Sequence, residues 1–241
     1  MVSFQSGRVF ALSIVAGLIA GAILAGLNTI IVQPYTGLVT DIILDEIIAD
    51  GLYDEEEFDS RLQSVYRVQT VGSLGMGLAA GALIGGVRTF VKGNSGGFKN
   101  AIVIAGLAWF VLYIVPTIKY PASAAALFYE EAASVYYPLF FGYLAVSGLA
   151  ALAAVATLMK STRKGRLFGA AALYFAAVAA AFLAFPDYQL DSSYPGSVLN
   201  AWRASISVVM TMFWLCTGLI CWMMWRYAGG KGEKNEQRVK L

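Results

Sequence analysis

Six apolar runs, each long enough to cross a hydrocarbon core of about 30 Å, constrain this chain more than any other feature. They lie at about residues 9–32, 68–91, 100–118, 135–159, 167–186 and 199–226. With no water in the bilayer to satisfy the backbone, continuous apolar runs of this length form helices. The expected fold is therefore all-α, a polytopic membrane protein whose six transmembrane helices form one bundle in a single domain, residues 1–226. A water-soluble core could not hide a chain in which 59% of the residues are apolar. The first run is too long for a signal-peptide core and has no clear small-x-small cleavage site followed by a soluble domain, so it is read as a retained span.

The connections alternate in charge. Arg8, the 88–99 turn (Arg88, Lys92, Lys99), the 160–166 turn (Lys160, Arg163, Lys164, Arg166) and the tail from Arg226 carry thirteen of the 17 basic residues and two of the 15 acids. The opposite connections hold the other thirteen acids against Arg61, Arg67, Lys119 and Arg203. Lysine and arginine concentrate in cytoplasmic loops. Both termini are therefore expected in the cytoplasm, with residues 227–241 as a basic cytoplasmic tail. The acid excess is first of all a mark of topology, but a field of one sign also raises the local concentration of counter-ions. Cations are the favoured passenger.

Residues 34–67 read as an acidic, partly helical outer loop. Val39, Ile43 and Ile47 recur at helical spacing, with Asp41 and Asp45 four apart on another face. A second helix is expected near Asp54, a carboxylate cap with Glu57 in the first turn and Phe58, Leu62 and Val65 as the buried stripe. The run Asp54-Glu55-Glu56-Glu57 is a solvated helix start rather than a metal site. Gly17 and Gly21 in the first span, and Gly77, Gly81 and Gly85 in the second, recur every four residues and mark ridges for close helix packing. Tyr113, Tyr120, Tyr136, Tyr137, Tyr188, Tyr194 and Trp202 at one set of span ends, and Phe98, Phe168, Trp222 and Trp225 at the other, read as interface anchors.

Several chemistries are excluded. Histidine is absent, which removes the usual general base near neutral pH and the commonest nitrogen ligand for metals. Cys216 and Cys221 stand five apart in an apolar stretch and define neither a disulfide framework nor a zinc site. No phosphate-binding Gly-x-x-x-x-Gly-Lys-Ser/Thr loop occurs, so any ATP hydrolysis of that type belongs to another chain. An enzyme is not expected, nor is a nucleic-acid partner; the lipid bilayer is the obligatory one.

Two stretches interrupt the oil. The third span ends in Pro116 and then Lys119-Tyr120-Pro121, so non-helical backbone is expected there, with carbonyls and charges turned to water. Glu130 and Glu131 follow at the threshold of the fourth span, where a contact with Lys119 would stabilise the segment; Lys119 snorkelling to the interface is the simpler alternative. The second stretch is Phe185-Pro186-Asp187 through Trp202-Arg203. An arginine only a turn inside the last span must pair or reach water, and Glu130, Glu131, Asp187 and Asp191 are its candidate partners.

These features resemble the CbtA group of predicted cobalt transporter subunits. The resemblance rests on Gln33-Pro34 after a Gly-rich first span, on Pro116-x-x-Lys119-Tyr120-Pro121, and on Pro195 followed by Trp202-Arg203-x-Ser205 and Trp214. Where that group continues with Asn-Pro-Pro-Ala, this chain reads Ala122-Ser123-Ala124-Ala125-Ala126.

The resemblance implies a membrane subunit of a divalent metal-ion transporter, with Co²⁺ as transported ion and no permanently bound cofactor. Asp41, Asp45, Glu130, Glu131, Asp187 and Asp191 are then the candidate metal-gathering carboxylates at an outer vestibule. Pro116, Lys119, Tyr120, Pro121 and Arg203 are the candidate structural or gating residues at its mouth. It also implies a small histidine-containing CbtB-like subunit as partner and the plasma membrane of a prokaryote as location. A non-transporting scaffold or assembly subunit is the alternative, marked by the absence of ionisable residues at mid-membrane depth.

Overall fold

The computed structural model describes residues 2–49, 55–90, 98–159, 164–188 and 195–239. Every regular element among the described residues is helical. Six helices are long and apolar enough to cross a membrane: Gly7–Leu44, Phe58–Thr89, Phe98–Lys119, Glu130–Leu158, Leu167–Ala184 and Gly196–Tyr227. The expected all-α architecture with six spans is the one observed. Large apolar side chains remain exposed along the spans, Leu183 at 85% and Phe168 at 81% among them. In water such surface is a liability, whereas in a bilayer it is the ordinary lipid-facing surface.

The chain forms two compact units, residues 1–107 with 200–241, and residues 108–199. In the first unit α1 (Val2–Leu27) passes through a π-helical turn (Asn28–Val32) into α2 (Gln33–Ala49). Pro34 does not end the helix. The Gln33 amide reaches back five residues to the Asn28 carbonyl, and this wider turn accommodates a ring that would clash in regular α-helix. α3 (Glu55–Phe90) runs unbroken from the acidic segment into the second span, since no glycine or proline interrupts it before Gly72. Residues 34–49 and 55–67 are thus helical as extensions of their neighbouring spans. Val39, Ile43 and Phe58 are buried, while Leu62 and Val65 of the expected stripe are half-buried; Asp54, the expected cap, and the Ile47 side chain lie outside the described residues.

α1 and α3 pack antiparallel at backbone contact. A Cβ on Gly17 would lie 2.7 Å from Gly81 Cα, one on Gly77 2.7 Å from Gly21 Cα, and one on Gly21 2.8 Å from the Ser73 carbonyl oxygen. Each value is well inside van der Waals contact, so only glycine permits this approach. α9 (Gly196–Val239) meets α4 (Phe98–Trp109) in the same way, where a Cβ on Gly218 would lie 2.9 Å from Ala105 Cβ. Two indoles fasten the unit further. Trp202 donates to Thr36 Oγ1 at 3.1 Å, and Trp225 donates to Ser13 Oγ at 2.9 Å. Trp202 and Trp225, like Tyr113, Tyr120 and Tyr136, are therefore buried in protein rather than standing as interface anchors. An indole N–H finds an acceptor on the neighbouring helix as readily as in the headgroup layer.

The second unit begins with another π-helical turn (Phe110–Ile114), followed by α5 (Val115–Lys119), α6 (Ala125–Phe128), α7 (Glu130–Met159) and α8 (Lys164–Ala184). α7 and α8 enclose a core of Tyr143, Tyr174, Ala170 and Ala181, capped by Tyr120 and Tyr136. Here too the helix survives its proline, because the Val115 amide bonds the Phe110 carbonyl five residues back. The break expected at Pro116 occurs four residues later. Tyr120 adopts φ −127° and ψ 81°, since the ring of Pro121 disfavours helix in the residue before it.

Candidate functional site

The segment that leaves the third span is built from residues 119–129 and the end of α8. Tyr120 closes α5 with its amide on the Pro116 carbonyl at 2.8 Å. Ser123 Oγ then accepts the Ala126 amide at 3.2 Å and starts the single turn of α6. Tyr129 is extended at φ −99° and ψ 120°, after which α7 begins with Glu130 and Glu131 in its first turn. Tyr120, Ser123, Ala124, Ala125, Ala126 and Phe128 are all buried. The irregular backbone is covered by protein, not turned to water as the prolines alone suggested. Either solution satisfies polar backbone that lipid cannot.

Three side-chain contacts tie this segment to the residues after α8, which Pro186 stops at Ala184. The Lys119 ammonium pairs with the Asp187 carboxylate. Tyr120 donates its hydroxyl to the Pro186 carbonyl at 2.7 Å, and the hydroxyls of Ser123 and Tyr188 share a hydrogen bond at 3.0 Å. The ion pair is lopsided. The Lys119 side chain is 4% exposed and the Asp187 side chain 75% exposed. The ammonium also lies 4.5 Å from the centre of the Phe182 ring and 5.9 Å from that of Tyr120. A buried cation needs a counter-charge, and two aromatic faces add to its support. The carboxylate that pairs with Lys119 is thus Asp187, not Glu130 or Glu131. Phe182 was not legible beforehand, since nothing in its apolar surroundings distinguishes it from a lipid-facing phenylalanine.

Burial first, and the Asp187 charge second, hold the Tyr120 phenol above its ordinary 10.0. It remains a neutral donor to Pro186 throughout the physiological range. Glu130 and Glu131 are exposed, where a negative charge suits the positive end of the α7 dipole.

In the first unit Asp41 is exposed on α2, and Arg203 is half-buried on α9 with its carbonyl accepting the Ser207 hydroxyl at 2.9 Å. The Asp45 side chain and Asp191 lie outside the described residues. Among the described residues no group of three or more histidine, cysteine, aspartate or glutamate side chains is placed to hold a metal ion.

A polar seam continues from this end between α7 and α8. Tyr143 donates to the Val178 carbonyl at 3.4 Å, and Ser147 Oγ bonds both the Val111 carbonyl at 2.7 Å and the Tyr174 hydroxyl at 3.0 Å. The signal for it was present in the spacing of Tyr136, Tyr143 and Ser147, seven and four residues apart and so on one face of a helix.

Compared with known families, residues 7–226 match the model described as probable cobalt transporter subunit (CbtA). No curated protein and no solved structure matches the chain.

Proposed function

Because the chain belongs to the CbtA family of probable cobalt transporter subunits, matched over residues 7–226, we propose that it is the membrane subunit through which a divalent cation, Co²⁺ foremost, crosses the bilayer. The family match is the observation that carries this reading. Cations are gathered on the outer face by the field of its carboxylates, with Asp41, Asp45, Glu130, Glu131, Asp187 and Asp191 as contributors. Carboxylate and carbonyl oxygens also suit Mg²⁺, Ca²⁺ and Mn²⁺, so selectivity requires softer donors. The chain has no histidine, and a small histidine-containing membrane partner of the CbtB type would supply imidazole. The working location is the plasma membrane of a prokaryote, with both termini in the cytoplasm, as the distribution of lysine and arginine favours.

The test is cobalt accumulation in a host deficient in its uptake, with the chain expressed alone and together with its genomic neighbours. Accumulated Co²⁺, Ni²⁺ and Mn²⁺ are measured by elemental analysis. Selective Co²⁺ gain that Arg203→Ala or Glu130→Gln/Glu131→Gln diminishes is the expected result. A correctly inserted chain that brings no gain in any combination would transfer the weight to a scaffold role.

A further inference from the structure

The exposed Asp187 carboxylate is available to a cation from solution, yet it already has one. Lys119 is not a surface lysine that happens to lie nearby: its stem is buried and its ammonium is confined by Phe182, Tyr120 and Asp187. The same junction between residues 119–123 and 186–188 also carries two neutral hydrogen bonds, Tyr120 to Pro186 and Ser123 with Tyr188. Of these three ties, the Lys119–Asp187 pair is the one that a competing ion can break.

From this arrangement we infer that Lys119 is a resident counter-ion that competes with the incoming divalent cation for Asp187. Resting on the transport reading above, the inference assigns Lys119 a specificity role at that site. A cation that binds Asp187 must displace the ammonium, which a divalent ion does more effectively than a monovalent one at the same carboxylate. Displacement releases the charged tie between the end of α5 and the end of α8. Bulk Na⁺ and K⁺ leave this tie in place, and a divalent ion releases it. The metal coordinates nothing on Lys119, which acts only through Asp187.

The experiment uses the full chain in lipid vesicles and a membrane-permeant amine-reactive reagent, which reaches both faces, with modification of individual lysines read by mass spectrometry. Lys99, exposed at the start of α4, is the internal reference. In NaCl alone Lys119 is expected to label far more slowly than Lys99. Adding CoCl₂ is expected to raise Lys119 labelling about fivefold, the scale on which loss of one ion pair with an exposed carboxylate shifts such an equilibrium. Lys99 should not respond.

Asp187→Asn should show the higher Lys119 labelling with or without CoCl₂. Lys119→Gln should bind Co²⁺ about fivefold more tightly by calorimetry, since the competitor is gone. Lys119 labelling that stays flat in CoCl₂, or that Asp187→Asn leaves unchanged, overturns the inference. Cobalt uptake measured in the same vesicles separates the two readings. Uptake with flat labelling defeats the counter-ion role alone, whereas a labelling response without uptake preserves it and defeats transport.

Discussion

Ser147 on α7 donates a 2.7 Å hydrogen bond to the carbonyl of Val111, the acceptor whose donor in the π-helical register would be Pro116. In the π-helical turn each amide reaches five residues back, as Val115 does to Phe110, so the next donor in that register would be residue 116, a proline with no N–H. The single Ser147 proton is used on Val111, and the Tyr174 hydroxyl therefore donates to Ser147 at 3.0 Å. A defect that lipid could not repair is satisfied by the Ser147 hydroxyl, which Tyr174 of α8 holds in turn.

Ser147→Ala should therefore cost about 1–3 kcal/mol, the penalty for a buried acceptor left without a partner. Restoring an amide with Pro116→Ala supplies the donor from within the helix. The double variant should recover part of the loss, and a double-mutant cycle of thermal stability in detergent should show coupling between the two sites. Additive effects would mean that the Ser147 bond has another purpose.

The glycine ridge between α1 and α3 contrasts with a glycine of α1 that lies off it. Gly17→Ala and Gly77→Ala place a methyl group 2.7 Å from a facing Cα, and backbone cannot move aside as a side-chain end can. Each should cost at least ~2 kcal/mol, in the upper part of the usual range for overpacking or beyond it. Gly26→Ala, with nothing within 4 Å of its added Cβ, should be tolerated. Yield of monodisperse protein and its melting temperature distinguish the two classes.

Tyr120→Phe keeps the ring against Tyr143, which it meets edge-on at 5.9 Å, but removes the bond to Pro186. About 0.5–1.5 kcal/mol should be lost at neutral pH. The phenol is held above 10.0 by burial and then by Asp187, so the folded protein binds this proton more tightly than the unfolded chain. That stabilisation is complete below the unfolded value and disappears as pH rises through it toward the folded value. Stability curves of wild type and Tyr120→Phe should accordingly converge above about pH 10.

If the outer carboxylates act as a field, their effect must be screened. Cobalt uptake below saturation should fall as ionic strength rises past about 0.1 M, where the screening length is about 10 Å. A variant with Glu130→Gln, Glu131→Gln and Asp187→Asn should show lower uptake and a shallower salt dependence. An unchanged slope would place the cation-gathering charge elsewhere.

The six spans, the all-helical class and the glycine ridge between α1 and α3 were legible in the sequence by itself, because lipid allows a long apolar run only one backbone solution and a four-residue glycine repeat only one useful face. The prolines were harder to read. Pro34 and Pro116 carry the same local instruction as Pro121, yet only Pro121 accompanies a break. What saves the helix at Pro116 is a π-helical turn and a hydroxyl from Ser147, thirty-one residues away in sequence. Likewise, the sequence pointed Lys119 to Glu130 and Glu131, its near neighbours along the chain, and the pairing fell to Asp187 because Pro186 stops α8 beside Tyr120. Local patterns determine which segments are helices; which side chain completes a neighbour's missing bond depends on the third dimension, where separation along the chain no longer measures distance.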